Sequence, residues 1–424
     1  MSSATESELI LVGPSNILVV NAGSSSLKFT MLSMKGETTR AKGIVERIGL
    51  ADPSLTYERF DGKKLKEKVH VANHDEALRV VCGKLVDQEC GVLQSLSEVE
   101  AIGHRVVHGG EKFRDSVIIT DEVKRIIKEM ATLAPLHNPP NLGGIEACER
   151  VFGDIPNVAV FDTAFHQSML PSSYLYAIPY EYYEKYGVRK YGFHGTSHKF
   201  VAQATAEYLR KPMARLKLIT CHLGNGCSIT AVDRGKVIDT SMGMTPLNGL
   251  VMGTRCGDID PAVVLYLVRQ GMSADEIDRM LNKRSGLLGV AGIGSGDMRD
   301  IIAAAESGND QARRALFMFF HRLVSYIGAY ETILDGADAV VFTGGIGENS
   351  AYVRERVVSR LGCLGCFLDK AVNESVVSRA AVISTAESIL KAVVMPTNEE
   401  LMIARETARL LTPLPESEER IRCP

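Results

Sequence analysis

Two short stretches of this chain carry the residue types that hold phosphate. The first is Asn21-Ala-Gly-Ser-Ser-Ser-Leu-Lys28, and the second is His222-Leu-Gly-Asn-Gly226. Lysine, hydroxyl and amide groups donate to phosphate oxygens, and a tight turn aims several backbone N–H groups at one point. Each stretch ends an apolar run, Ile17–Val20 or Leu218–Cys221, and each is followed by a second strand-like segment. Gly23 aligns with Gly224 and Asn21 with His222. The glycines at 224 and 226 are expected to permit positive φ and close backbone approach. A phosphate-holding hairpin repeated about half a chain apart predicts two related halves.

Other residues could serve the same chemistry. Val340-Val-Phe-Thr-Gly-Gly-Ile-Gly-Glu-Asn349 reads as a strand, a glycine loop and a helix start, which aims a helix N-terminus at an anion. It matches neither the P-loop nor the dinucleotide G-x-G-x-x-G spacing, and Gly292-Ile-Gly-Ser-Gly296 reads as a loop. Arg105 and Arg255 stand in glycine-rich surroundings, where guanidinium groups clamp carboxylates or phosphates. Asp162 and Glu399 lie at strand or loop ends and offer oxygen ligands to a hard cation such as Mg²⁺. Seven histidines fall between 104 and 222: His104, His108, His137, His166, His194, His198 and His222. His104/His108 and His194/His198 have the spacing of helical zinc pairs, but the first pair reads as strand and the second as loop. Polar site or core roles are expected instead.

These residues need elements to carry them. Strands are predicted at 17–20, 101–107, 158–161, 217–232 (a hairpin), 339–342 and 392–395. Helical periodicity covers 69–96, 121–134, 143–151, 260–270, 311–334 and a segment from 351, and a C-terminal helix follows 400. Ala134-Pro-Leu-His-Asn-Pro-Pro140 is expected to end a helix. The alternation predicts an α/β protein. At 424 residues the chain exceeds one compact core, and two domains are expected, 1–162 and 163–399, with the helix 400–424 returning to the first. A net charge of −3 and 45% hydrophobic residues give no nucleic-acid or membrane surface. No apolar run reaches spanning length, and residues 1–15 read as a polar tail rather than a secretory signal. Nine scattered cysteines, with one C-x-x-C at Cys363 and Cys366, predict reduced thiols in a cytoplasmic protein.

Taken in order, the motifs resemble the acetate kinase family, which includes the propionate kinases. The resemblance runs from about Ile17 to Arg409. It is carried by Val20–Phe29, Gly103-His-Arg-Val-Val-His-Gly-Gly110, Ala134–Pro139 and Val160-Phe-Asp-Thr-Ala-Phe-His166. Tyr191-Gly-Phe-His-Gly-Thr-Ser-His198, Cys221–Gly226, Met252–Pro261, Phe342–Asn349 and Pro396-Thr-Asn-Glu-Glu400 continue it. The resemblance implies two duplicated actin-like (ribonuclease H-like) domains with the active site in the cleft between them, working as a homodimer. It implies reversible transfer of the ATP γ-phosphoryl to a short carboxylate, giving an acyl phosphate and ADP, with Mg²⁺ or alternatively Mn²⁺. By motif position, Asn21, Asp162 and Glu399 would serve the metal, with Asp162 also in the catalytic set beside Arg105, His194 and Arg255. Ser24, Ser26 and Lys28 would line the first phosphate turn, and His222, Asn225 and Gly226 the second. Asp297, Met298, Arg299, Gly345, Ile346 and Asn349 would hold adenosine. The acyl methyl would meet Val107, Leu136, Phe193 and Pro246.

The chemistry agrees with the resemblance. A carboxylate acceptor is already ionised at neutral pH, so no general base is required. The problem is to bring one anion against another, which calls for positive charge on the transferring group. A valine at 107 resembles the acetate kinases, whereas propionate kinases often carry a smaller residue there. Acetate is therefore expected over propionate. A sugar or polyol kinase would need a base such as Asp162, and a non-catalytic actin-like ATP-binding module would leave Arg105 and Arg255 unexplained. Departures from the family are the N-terminal tail, Cys227 and Cys256, and a short stretch between about 370 and 392.

Overall fold

A computed structural model describes residues 13–413. The first twelve residues of the expected polar tail, and the expected helix beyond 413, lie outside the described residues. The chain divides into two compact units, one of residues up to 164 with those from 399 onward, the other of 165–398.

In the first unit, eight strands form one sheet: β1 (Asn16–Ala22), β2 (Ser26–Ser33), β3 (Thr38–Glu46), β4 (Ser54–Arg59), β5 (Lys64–Lys68), β6 (Ala101–Val106), β7 (Val117–Ile118) and β8 (Asn157–Phe161). Their order is β5-β4-β3-β2-β1-β6-β8-β7. In the second unit, β9 (Lys217–Leu223), β10 (Cys227–Asp233), β11 (Lys236–Thr240), β12 (Ala339–Thr343), β13 (Ala381–Val382) and β14 (Lys391–Val394) run β11-β10-β9-β12-β14-β13. The shared plan is an antiparallel meander followed by two parallel strands: β3-β2-β1-β6-β8 in one unit, β11-β10-β9-β12-β14 in the other. Tight turns can join only the antiparallel strands; the parallel ones need crossovers, supplied by Asn138–Phe152 before β8 and Asp310–Ile333 before β12. Both β8 and β12 are buried at every position, as central parallel strands covered on two faces must be. The expected duplicated actin-like α/β architecture is what these two sheets build.

Three local readings change. Pro139 and Pro140 open the helix Asn138–Phe152 rather than close its predecessor, because a missing N–H costs nothing in the first turn. Gly195-Thr-Ser is not loop but the first turn of the helix Gly195–Tyr208, with His194 capping it at φ 58°. The glycine loop at 344 is itself a short helix, Gly344–Asn349, and only Gly344 there has positive φ, at 73°. A side chain on Gly344 would also strike the backbone of Leu223. The two hairpins differ by one residue: Ala22 pairs with Leu27, whereas Leu223 pairs with Cys227.

The helix Glu399–Leu411 crosses β6 at Gly103. A Cβ there would lie 2.6 Å from Thr407 Oγ1 and 2.7 Å from Ile403 Cγ2. Side chains alternate along a strand, so Gly103 and Arg105 share the face that this helix covers. The glycine thus lets the helix come close enough to bring its first residue, Glu399, to Arg105. We expect Gly103→Ala to destabilise the protein by about 1–3 kcal/mol, since overpacking forces the helix outward. Urea denaturation followed by circular dichroism checks this, and an unchanged midpoint would mean that the helix does not bear on Gly103.

Candidate active site

In the first unit, β6 and β8 run parallel with Arg105 beside Val160 and Val106 beside Phe161. That register puts the Arg105 side chain next to Asp162, the residue just past β8. The Arg105 Nε lies 3.2 and 3.1 Å from the two Asp162 oxygens, and its Nη2 donates to Oδ2 at 2.6 Å. Asp162 is fully buried. Its charge, and then those of Glu399 and Glu400, raise the Arg105 pKa further, against burial. Glu399 moves the opposite way: burial pushes its carboxyl up to about 7, with Asp162 and Glu400 adding to the rise and Arg105 and Lys28 opposing it. Two acids that penalise each other's charge suit a cation, although no group of three His, Cys, Asp or Glu side chains able to hold a metal occurs among the described residues. Asp162 and Glu399 are oxygen donors of the kind a hard cation takes, and a metal held by so few would keep part of its water shell.

The first turn stands at the end of β1. Gly23 N donates to Ser26 O at 2.8 Å, and His74 Nε2 lies 2.7 Å from Gly23 O. Ser24 and Lys28 are exposed, and Asn21 and Ser26 half-buried. Val107 is buried, but Leu136 is 69% exposed.

The second unit presents the second turn. His194 and His222 stack with ring centroids 4.3 Å apart. A Cβ built on Gly226 would lie 3.4–3.5 Å from the His194 Cε1 and Nε2 and from Arg255 Nη1. Neither Gly224 nor Gly226 has the expected positive φ, and a Cβ at either would meet its neighbours at ordinary contact distances of 3.4 Å or more. The Arg255 Nη1 donates to Pro246 O at 2.9 Å and lies 3.5 Å from Met252 Sδ. Burial among such neutral partners lowers its pKa. Gly253 N donates to Asn225 O at 3.0 Å, which joins the Arg255 loop to the turn. Phe193 is buried and Pro246 half-buried.

Gly345, Ile346 and Asn349 lie on the short glycine helix, with Gly345 and Asn349 exposed and open space beside Gly345. Glu348 Oε1 closes this helix's start by accepting from Gly344 N at 2.9 Å and Thr397 N at 3.1 Å. Asp297 caps the helix Met298–Glu306 and pairs with Arg299 at 2.8 Å; hydrogen bonds from Arg299 bring its carboxyl down to about 2. Met298 is buried, so its side chain has no surface to offer a base.

The family model described as the acetokinase family matches residues 16–405. The chain belongs to the acetokinase family. It is 53% identical over 396 residues to the acetate kinase of Halothermothrix orenii, covering 93% of this chain and 99% of that one. The acetate kinase of Methanosarcina thermophila is 52% identical, with 93% and 97% covered. Among solved structures, Porphyromonas gingivalis acetate kinase superposes with a TM-score of 0.90 at 44% identity, covering 94% and 100% of the two chains. A propionate kinase from Francisella tularensis gives 0.87 at 43%, covering 93% and 100%. The acetokinase is thereby a phosphotransferase with a carboxyl group as acceptor.

Several supporting residues of this acetokinase carry no sequence signal of their own. Asn141 accepts from Val107 N at 3.0 Å and donates to Ala22 O at 2.8 Å, clipping the ends of β1 and β6 together. Asn138 does the same for His108, accepting from its N at 3.1 Å and donating to its O at 2.9 Å. Arg354, fully buried, donates to Gly347 O and Glu348 O and so terminates the glycine helix; further bonds reach Asn373 and Val376 O.

The raised Glu399 pKa makes a stability statement. The native state holds this proton more tightly than the unfolded chain, so stability is lost as pH rises from about 4.5 to about 7. In protein treated with a chelator, Glu399→Gln is expected to raise the thermal midpoint relative to wild type at pH 8, with the gain fading towards pH 5. A gain of the same size at both pH values would rule out the protonated native carboxyl.

Proposed function

We propose that this chain transfers the γ-phosphoryl group of ATP to acetate, reversibly, giving acetyl phosphate and ADP. The observation that carries the reading is the Arg105–Asp162 pair. An alcohol acceptor needs a base, and Asp162 has both oxygens turned to a guanidinium. A carboxylate needs none. One acetate oxygen attacks the γ-phosphorus in line, and the bond to the bridging oxygen breaks with its electron pair leaving on ADP. Arg105, Arg255 and His194 supply positive charge and hydrogen bonds to the phosphoryl in flight. Ser24, Ser26 and Lys28 hold phosphate at one turn, His222, Asn225 and Gly226 at the other. Asn21, Asp162 and Glu399 would hold Mg²⁺, which when bound offsets phosphate charge. Adenosine lies along Gly345, Ile346 and Asn349, with Asp297, Arg299 and the Met298 backbone beside it.

Acetate is favoured over propionate by the buried Val107 and by relatives above 50% identity named acetate kinases. The cytoplasm is the compartment we infer, since the eight cysteines among the described residues are all free thiols. Arg105→Ala and Arg255→Ala should each lower kcat by about 10²-fold or more, by analogy with loss of a preorganised donor. A hydroxamate assay with acetate, propionate and butyrate reads this out. Near-wild-type turnover in both variants, or a higher kcat/KM with propionate, would refute the respective assignment.

We also propose a homodimer. The helix Pro261–Arg269 has no buried residue although it reads Pro-Ala-Val-Val-Leu-Tyr-Leu-Val-Arg, and Val263, Leu265, Tyr266 and Val268 are all exposed. An apolar face of this kind is stable in water only when covered. Light scattering should give twice the chain mass for the wild type and the single mass for Leu265→Glu/Tyr266→Glu. A wild-type monomer at micromolar concentration would rule the dimer out.

A further inference from the structure

Behind His194 lies a chain of buried hydroxyl and imidazole groups that the proposed reaction does not use. His194 Nδ1 is 2.9 Å from Ser228 Oγ. On the other side of Ser228, at 2.7 Å, is Nε2 of His198, one helical turn beyond His194. His198 Nδ1 is 2.7 Å from Thr220 Oγ1. His198, Ser228 and Thr220 are all fully buried, on the helix Gly195–Tyr208 and on the paired strands β10 and β9.

Counting protons leaves two orderings. His198, enclosed between two hydroxyls, is neutral; burial and the nearby His166 and His222 rings hold its pKa well below the usual histidine range. A neutral imidazole has one donor and one acceptor nitrogen, and a serine hydroxyl has one proton. Ser228 touches two imidazole nitrogens, so it donates to one and accepts from the other. The two orderings part at Thr220: the 2.7 Å contact with His198 Nδ1 is a bond in both, and the Thr220 hydroxyl proton lies either in it or in the 3.4 Å contact with Thr230 O. A His194 that donates to a phosphoryl oxygen from Nε2 requires the first. The His198 proton then sits on Nε2 and is donated to Ser228, whose own proton goes to His194 Nδ1.

We propose that His198 and Ser228 are positioning residues that fix His194 in the Nε2–H tautomer, so that the neutral ring donates from the edge beside Gly226 and Arg255. In the opposite ordering, Nε2 would carry a lone pair and repel a phosphoryl oxygen. The proposal rests on the assignment of His194 to the phosphoryl group.

Long-range proton–nitrogen spectra of the full chain with ¹⁵N-labelled histidine test it, with peaks assigned through His194→Gln and His198→Gln. The wild type should show His194 protonated at Nε2 and not at Nδ1; protonation at Nδ1 overturns the proposal. Ser228→Ala should give His194 a mixture of tautomers. Its kcat should fall about tenfold to a hundredfold while KM for ATP and acetate stays within about twofold, the pattern of a group acting in the transition state. Ser228→Thr, which keeps the hydroxyl, should restore both readouts. An Ser228→Ala protein with wild-type tautomer and kcat would also overturn it. The reading of His194 fails separately, if His194→Ala keeps wild-type kcat, because the wild-type spectrum reports the tautomer without turnover.

Discussion

A guanidinium–carboxylate pair whose acid is buried can hold its geometry only if the backbone beneath each partner is fixed. For Arg105 and Asp162 that backbone is the parallel register of β6 and β8, continued past the sheet where Asp162 N donates to Val106 O at 3.0 Å. Much of the first unit follows from that requirement. Gly103 lets the helix Glu399–Leu411 lie close on the same face, and Asn138 and Asn141 pin the chain that leaves β6. Desolvation makes an unpaired charge here expensive, so each acid is matched by an arginine or pushed towards its neutral form.

The second unit uses the same strand order but solves a different electrostatic problem. Where the first has an ion pair at its strand ends, the second has imidazoles and hydroxyls: His194, His198, His222, Ser197, Ser228 and Thr397 linked at 2.7–2.9 Å. Arg255 is bonded to a carbonyl and a thioether rather than to an acid. Its charge is desolvated without being cancelled, which is the condition under which a guanidinium attracts an anion most strongly. Duplication supplied the backbone, and the side chains then diverged in charge.

Much of this was legible in the residues. The two phosphate-type turns, the strand–helix alternation and the positions of Arg105 and Arg255 follow from residue type and spacing, because hairpins and parallel crossovers leave period and turn signals. The roles of individual residues came only with the family resemblance. Local conformation at 138–140, 195–198 and 344–349 was not legible, since Pro and Gly mark a break without saying which side of it is helix. The proline pair and the Gly-Gly-Ile-Gly run both proved to be helix starts, each packed on a strand end. Nor did the sequence distinguish Leu136 from its proposed neighbour Val107: both are apolar, but one is exposed and the other buried. Burial is a property of the fold.

Arg354 shows how far a site's support can extend beyond its visible motif. A fully buried arginine normally implies a buried acid, yet here four of the five bonds go to backbone carbonyls and the fifth to the Asn373 amide oxygen. Those carbonyls include Gly347 O and Glu348 O, at the end of a helix only six residues long. So short a helix cannot satisfy its own C-terminal carbonyls, and glycine gives it little intrinsic stability. The guanidinium supplies the missing donors and a positive charge at the negative end of the helix dipole. Its cost is desolvation, which brings the Arg354 pKa down to about 10 and still leaves it charged at neutral pH. The exposed edge of Gly345 and Asn349 can thus stay small and open, because the helix is held from its buried end.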